Sequence, residues 1–112
     1  QRKLRAKGLP WELSKAFDNS AALGTFIPLS EAGEIGNLSF HLDINGECVQ
    51  SGNTADMLFP VDKIVSYVSQ FFTLKIGDLI YTGTPAGVEP VKIGDHLEGY
   101  LGDRKLLDFH VR

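Results

Sequence analysis

The chain has 112 residues, 43% of them hydrophobic and 22% charged, which supplies a core and argues against disorder. Eleven basic and fourteen acidic residues give a net charge of −3, so nucleic acid is not an expected partner. No run of about eighteen apolar residues occurs, so no membrane span is expected.

One cysteine, Cys48, excludes an internal disulfide and fits a reducing, cytoplasmic compartment. Twelve glycines favour a turn-rich β protein over a helical bundle. The sequence opens at Gln1 rather than at a methionine, and is read as the later part of a longer protein.

The elements follow in chain order. Gln1 to Lys7 reads as the last turns of a helix, closed by Gly8 and punctuated by Pro10. Its basic residues Arg2, Lys3, Arg5 and Lys7 read as a solvated surface. Trp11 to Phe17 is too short to assign, and Ala21 to Glu34 is a loop in which Phe26, Ile27 and Leu29 form a brief strand or plug a core. Leu38 to Ile44 alternates strictly between apolar and polar residues, the period of a half-buried strand. Asn45-Gly46 follows and Glu47 to Gln50 resumes, the signature of a two-residue hairpin. Ser51 to Pro60 reads as a loop anchored by Met57, Leu58 and Phe59.

Val61 to Leu74 is the one good helix, with apolar residues at 61, 64, 65, 68, 71 and 72 and Pro60 at its entrance. Lys75-Ile76-Gly77-Asp78 is a turn feeding an apolar strand, Leu79 to Thr82, and Gly83, Pro85 and Gly87 break it sharply. Lys92-Ile93-Gly94-Asp95 nearly repeats the earlier tetrapeptide, which reads as one turn chemistry used twice. His96 to Leu101 and Arg104 to Arg112, either side of Gly102-Asp103, form a second hairpin. The sum is a single, mainly β domain with one principal helix, in which the short turns require antiparallel pairing.

The residues that carry chemistry are few. HExxH, CxxC and EF-hand spacings are absent, as are a P-loop, a dinucleotide fingerprint and a nucleophile elbow. His41, His96 and His110 lie far apart in sequence and read as fillers, as does Cys48, which lacks a base partner. Two features stand out. Thr82-Gly83-Thr84-Pro85 gathers hydroxyls and constrained backbone at a strand end, where N–H groups and a threonine hydroxyl can hold a carboxylate or phosphate oxygen. Lys15 lies among Trp11, Leu13, Ala16 and Phe17, where partial desolvation would make a lysine a handle for an anion, although these residues alone read more simply as a surface lysine.

Four segments in this order resemble the C-terminal part of the fumarylacetoacetate hydrolase family. They are Lys7-Gly8-Leu9-Pro10-Trp11, Lys15-Ala16-Phe17-Asp18, Asn53-Thr54-Ala55-Asp56-Met57 and Tyr81-Thr82-Gly83-Thr84-Pro85-Ala86-Gly87-Val88. The resemblance extends over essentially the whole chain and is nearest to the small enzymes that act on acylpyruvates and related oxo-acids. It implies a mixed β-sandwich roll, of which residues 1–112 form the C-terminal portion of a single catalytic domain, and a homodimer. It also implies a divalent cation, magnesium with manganese or calcium as alternatives, held by acidic residues that in the family precede the position of Gln1. No metal ligand is assigned within this chain.

By the same resemblance Lys15 is the catalytic residue beside the metal site and the substrate oxygens, Gln1 faces the substrate, and Thr84 holds its carboxylate. The implied reaction is metal-dependent hydrolysis of a C–C bond in an acylpyruvate. The alternatives are oxaloacetate-type decarboxylation or isomerisation of an oxo-acid, as in aromatic catabolism. Two departures are noted: Ala21-Ala22 stands where the family often has Cys-Pro, and Glu89 where glycine is frequent. The family's metal-binding aspartate, its paired glutamates and its histidine-glutamate pair all fall upstream of Gln1, so the fragment alone is expected to be inactive. A non-catalytic fragment or degenerate binding domain is the competing reading. Acidic residues and a histidine encoded upstream of Gln1 decide between the two.

Overall fold

A computed structural model describes residues 1–112. Four strands form one antiparallel sheet: β1 (Ser39–Ile44), β2 (Glu47–Asn53), β3 (His96–Leu101) and β4 (Arg104–His110), in the spatial order β2-β1-β3-β4. Two hairpins are thus joined through their first strands, β1 against β3. The Asn-Gly turn is as expected: Asn45 (φ 53°) and Gly46 (φ 80°) both take the left-handed conformation that a two-residue turn requires.

Each outer strand carries one bulge. In the β1–β2 pair the register slips so that Asp43 faces Cys48 while Leu42 faces Gln50, leaving Val49 as the extra residue. In the β3–β4 pair Tyr100 faces Lys105 while Gly99 faces Leu107, leaving Leu106 over. A bulge reverses the side-chain alternation of everything beyond it. The consequence is a sheet with two distinct faces. His41, Asp43, His96, Glu98, Tyr100, Lys105, Asp108 and His110 share one. Phe40, Leu42, Leu97, Gly99, Leu107 and Phe109 share the other.

The helices are short: α1 (Arg2–Ala6), α2 (Glu12–Lys15), α3 (Leu29–Ala32) and α4 (Val61–Val68), with a 3-10 turn at Thr54–Asp56. Gly8 (φ 62°) closes α1 as expected. The Gly8 N–H donates to the Arg5 carbonyl and the Leu9 N–H to the Leu4 carbonyl, the paired bonds of a left-handed helix end. The principal helix is shorter than its periodicity implies. After Val68 the pattern turns mixed: Gln70 to Tyr67 and Phe71 to Val68 are three-residue steps, Phe72 to Val68 is still a four-residue one, and the Ser69 hydroxyl donates to the Ser66 carbonyl.

The remaining expectations meet three corrections. Strand β2 runs on to Asn53 into residues read as loop, because Gly52 and Asn53 find partners in Phe40 and Ser39. Phe26 to Leu29 forms neither a strand nor a core plug: Phe26 and Leu29 are exposed, and Leu29 opens α3 instead. Leu79 to Thr82 is extended in sequence character only, because no backbone hydrogen bond of the chain reaches it. The two Lys-Ile-Gly-Asp turns are one device used twice. The aspartate carboxylate accepts from the lysine N–H at 2.7 Å in both, and Gly77 and Gly94 sit at φ 96° and 95°.

Of 112 residues only Leu97, in the middle of the sheet, is buried. The radius of gyration is 15.5 Å, against about 13 Å for a compact chain of this length. The apolar face of the sheet and much of α4 therefore meet solvent in the isolated chain, with Phe71 and Phe72 about two-thirds exposed. No helix is long and apolar enough to cross a membrane.

Candidate functional site at the Thr84 turn

The bulge at Val49 decides what the apolar side of the sheet presents. Without it, counting back from the Ile44–Glu47 pair sets Val49 opposite Leu42. With it, the polar Gln50 takes that place, on the face that otherwise carries Phe40 and Leu107. The turn from Gly83 to Gly87 docks there. Gly83 (φ 101°) and Gly87 (φ 97°) both need the backbone freedom of glycine, and a Cβ on Gly87 would lie 2.3 Å from the Val49 carbonyl oxygen. The bulged residue and the turn are therefore in direct backbone contact.

The Gln50 amide fastens the turn. Its Nε2 lies 3.0 Å from Thr84 Oγ1, 3.3 Å from the Pro85 carbonyl and 3.4 Å from the Ala86 carbonyl. The other bulge has a parallel partner. Gly24 packs so closely on Leu106 that a Cβ there would sit 2.0 Å from its carbonyl oxygen, and the Thr25 N–H donates to that oxygen at 2.6 Å. A cleft of about 330 Å³ opens between the Thr84 turn and the sheet, lined by Phe40, Leu42, Gln50, Thr84, Pro85 and Leu107 among others.

The sequence-derived residues fall in different places. Thr84 lines this cleft; Gln1 and Lys15 do not. Gln1 precedes α1 and Lys15 ends α2, and both are exposed. The expected desolvation of Lys15 is not supplied within the chain, since Trp11, Leu13 and Phe17 are themselves exposed. Its ammonium has no ion-pair partner, so it is free to meet an anion from outside the chain. Cys48 is exposed at the hairpin end rather than filling a core.

Sequence reasoning missed Gln50 and the company kept by the histidines. His41 stacks on Tyr100 with ring centroids 4.5 Å apart, and His96 stacks on His110 at 4.3 Å. Both are cross-strand neighbours that only the pairing register reveals. Around them lies an ion network. The Lys105 ammonium bridges Asp108 at 2.6 Å and Glu98 at 2.9 Å, and His96 Nε2 lies 2.6 Å from the other Asp108 oxygen. Lys105 and Asp108, three apart on a strand, share a face only because Leu106 bulges between them. The Lys105 hydrogen bond, with help from His96, holds the Asp108 carboxyl down at about 2. Asp108 and then Glu98 raise the Lys105 ammonium above its ordinary value. Burial, followed by the Glu98 carboxylate, pushes the Tyr100 phenol up.

Two observations test whether this chain cradles a divalent cation. No carboxylate lines the Thr84 cleft, so it offers none of the charged oxygen ligands that magnesium or manganese takes. His96, Glu98 and Asp108 do converge, with ligand atoms within 4.8 Å of one another, but the Lys105 ammonium already bridges the two carboxylates. The residues of this chain do not fit such an ion.

Comparison with known proteins agrees with the motifs. The family model for the fumarylacetoacetate (FAA) hydrolase C-terminal region matches residues 1–111. The oxaloacetate tautomerase of Escherichia coli is 49% identical over 98 residues, covering 87% of this chain and 45% of that protein. A fumarylacetoacetate hydrolase family protein of Yersinia pestis has a crystal structure that superposes with a TM-score of 0.93 at 42% identity, over 100% of this chain and 51% of that one. The fumarylpyruvate hydrolase of Pseudomonas aeruginosa, solved in complex with Mn2+ and pyruvate, gives 0.88 at 38% identity, over 99% of this chain and 48% of that one. The chain spans about half the length of the curated relatives it matches. Motif order, sheet topology and these similarities together establish that the chain belongs to the fumarylacetoacetate hydrolase family.

Proposed function

We propose that the intact protein is an enzyme that forms and stabilises the enolate of a small 2-oxo acid. The observation that carries this reading is the Thr84 hydroxyl, held over a cleft by a turn whose position the Val49 bulge dictates. Thr84 takes the substrate carboxylate through its hydroxyl and neighbouring N–H groups. Lys15 supplies the positive charge that the enolate oxygen needs as it develops, and Gln1 orients the substrate by hydrogen bonding. The divalent cation expected for the family is left to residues outside 1–112.

Three reactions share that enolate. In C–C hydrolysis of an acylpyruvate, water adds to the distal carbonyl, the C–C bond breaks, and the leaving enolate is reprotonated to an oxo-acid. In decarboxylation carbon dioxide leaves instead. In tautomerisation a proton leaves carbon and another is delivered to oxygen, with no bond broken between carbons. The higher identity to an oxaloacetate tautomerase than to a fumarylpyruvate hydrolase favours the last, with C–C hydrolysis as the second reading. The protein works in the cytoplasm, where an exposed free Cys48 is compatible with the redox poise, and acts as a homodimer.

The test is a panel assay of the intact protein with added magnesium or manganese. Oxaloacetate tautomerisation and decarboxylation, and hydrolysis of fumarylpyruvate and simpler acylpyruvates, are compared by kcat/KM. Lys15→Ala is expected to lower turnover on the best substrate by about 100-fold, the scale of a lost oxyanion donor. Unchanged turnover in that variant removes Lys15 from the chemistry. Absence of activity on every oxo-acid leaves the non-catalytic reading standing.

A further inference from the structure

We propose that Gln50 is a positioning residue that fixes the polarity of the Thr84 hydroxyl, so that its proton is reserved for a ligand carboxylate. The proposal rests on the reading of Thr84 as the carboxylate-binding residue. The orientation of the Gln50 amide is set by its surroundings: the Pro85 and Ala86 carbonyls can only accept, so the group facing them is the NH2. An NH2 cannot accept in return, so the 3.0 Å contact to Thr84 Oγ1 makes the hydroxyl the acceptor. A threonine hydroxyl has one proton, and no acceptor within the chain takes it from Thr84. The proton is left pointing away from Gln50, as a donor at a cleft with no competing carboxylate.

The device depends on the register. Gln50 reaches this face because Val49 bulges, and the turn cannot ride past it because Gly87 is seated against the Val49 carbonyl. The same bulge therefore delivers both the amide and the surface on which the turn rests. A free threonine hydroxyl rotates between donor and acceptor roles. One that is already accepting a bond favours ligands that accept over ligands that donate, which is the selectivity a carboxylate site needs.

The experiment is a double-mutant cycle in the intact protein, read as KM and kcat on its best oxo-acid substrate. Thr84→Val is expected to raise KM by about 10- to 100-fold, the range for a hydrogen bond to a charged group. Gln50→Met, similar in length but without donors, is expected to raise KM by about tenfold with kcat within about threefold. In the Thr84→Val background Gln50→Met should add less than about twofold, because there is no hydroxyl left to orient. Gln50→Glu keeps the shape and reverses the polarity, since its carboxylate captures the hydroxyl proton. It should raise KM at least as much, and it serves if the methionine variant does not fold.

Either Gln50 variant with KM within about twofold of the parent overturns the proposal while Thr84→Val still raises KM. So does a fall in melting temperature and kcat with KM unchanged, which marks a merely structural amide. Thr84→Val without effect on KM overturns the carboxylate reading itself, whatever Gln50 does.

Discussion

Gly77 and Gly87 form a matched pair that separates backbone strain from packing. Both sit at nearly the same φ, 96° and 97°, yet a Cβ at Gly77 meets nothing within 4 Å while one at Gly87 lies 2.3 Å from the Val49 carbonyl oxygen. Alanine at either position suffers the cost of a conformation that side chains avoid, about 1–3 kcal/mol. At Gly87 there is more. An ordinary carbon–oxygen contact needs roughly 3.4 Å, so the turn must retreat from the sheet by about 1 Å. That stretches the Gln50–Thr84 bond from 3.0 Å beyond hydrogen-bonding range and forfeits the amide's bonds to the turn, about 0.5–1.5 kcal/mol each. Gly87→Ala is therefore expected to cost about 2.5–7.5 kcal/mol in urea unfolding of the intact protein, from the strain and the three amide bonds together, and Gly77→Ala about 1–3. Equal losses in the two variants refute the claim that Gly87 is selected by its seat on the Val49 bulge.

Two further outcomes follow from the polar face and the hairpin. Carboxyl-resolved NMR titration should place Asp108 near 2 in the parent and move it up toward its ordinary value of 3.8 in Lys105→Met. Because the folded value is depressed, the ion pair's contribution is complete above about pH 4 and fades as pH falls toward 2; an unmoved titration denies that Lys105 is the cause. Asn45 holds the second Lys-Ile-Gly-Asp turn, donating to Asp95 at 3.0 Å and accepting from the His96 N–H at 2.9 Å. Asn45→Gly keeps the turn's backbone freedom and removes only those bonds, so melting should fall by about 2–5 °C. No change there means that the Asn45 side chain adds nothing to the strand pairing and the Asn45 N–H bond to the His96 carbonyl that join the two hairpins.

What the sequence made legible was local. The Leu38–Gln50 hairpin could be read because its alternation and its Asn-Gly turn both act over neighbouring residues. The Thr84 turn was legible for the same reason, since its glycines and hydroxyls are adjacent. The bulges were not. Val49 and Leu106 are ordinary strand residues, and nothing in a single strand reveals that its partner skips one. Gln50 was hidden with them, because its face depends on that skip. The histidine stacks needed the β1–β3 register, which joins residues far apart in sequence, and the β3–β4 register, which the Leu106 bulge shifts. The overreadings have one cause as well. Leu79–Thr82 and Phe26–Leu29 have strand composition, but composition supplies only the propensity, and pairing requires a neighbour that this chain does not place beside them. Gln1 was reached through motif likeness alone, and Lys15 through its aromatic neighbours as well, but those neighbours are exposed and do not desolvate it.

The twin Lys-Ile-Gly-Asp turns end alike but are tied differently. The one at Lys92–Asp95 is clasped by Asn45, while the one at Lys75–Asp78 is held by its own two bonds, with Ile76 fully exposed at its tip. An inserted epitope or a fluorophore graft therefore has one suitable address and one unsuitable one, although the two look interchangeable on paper.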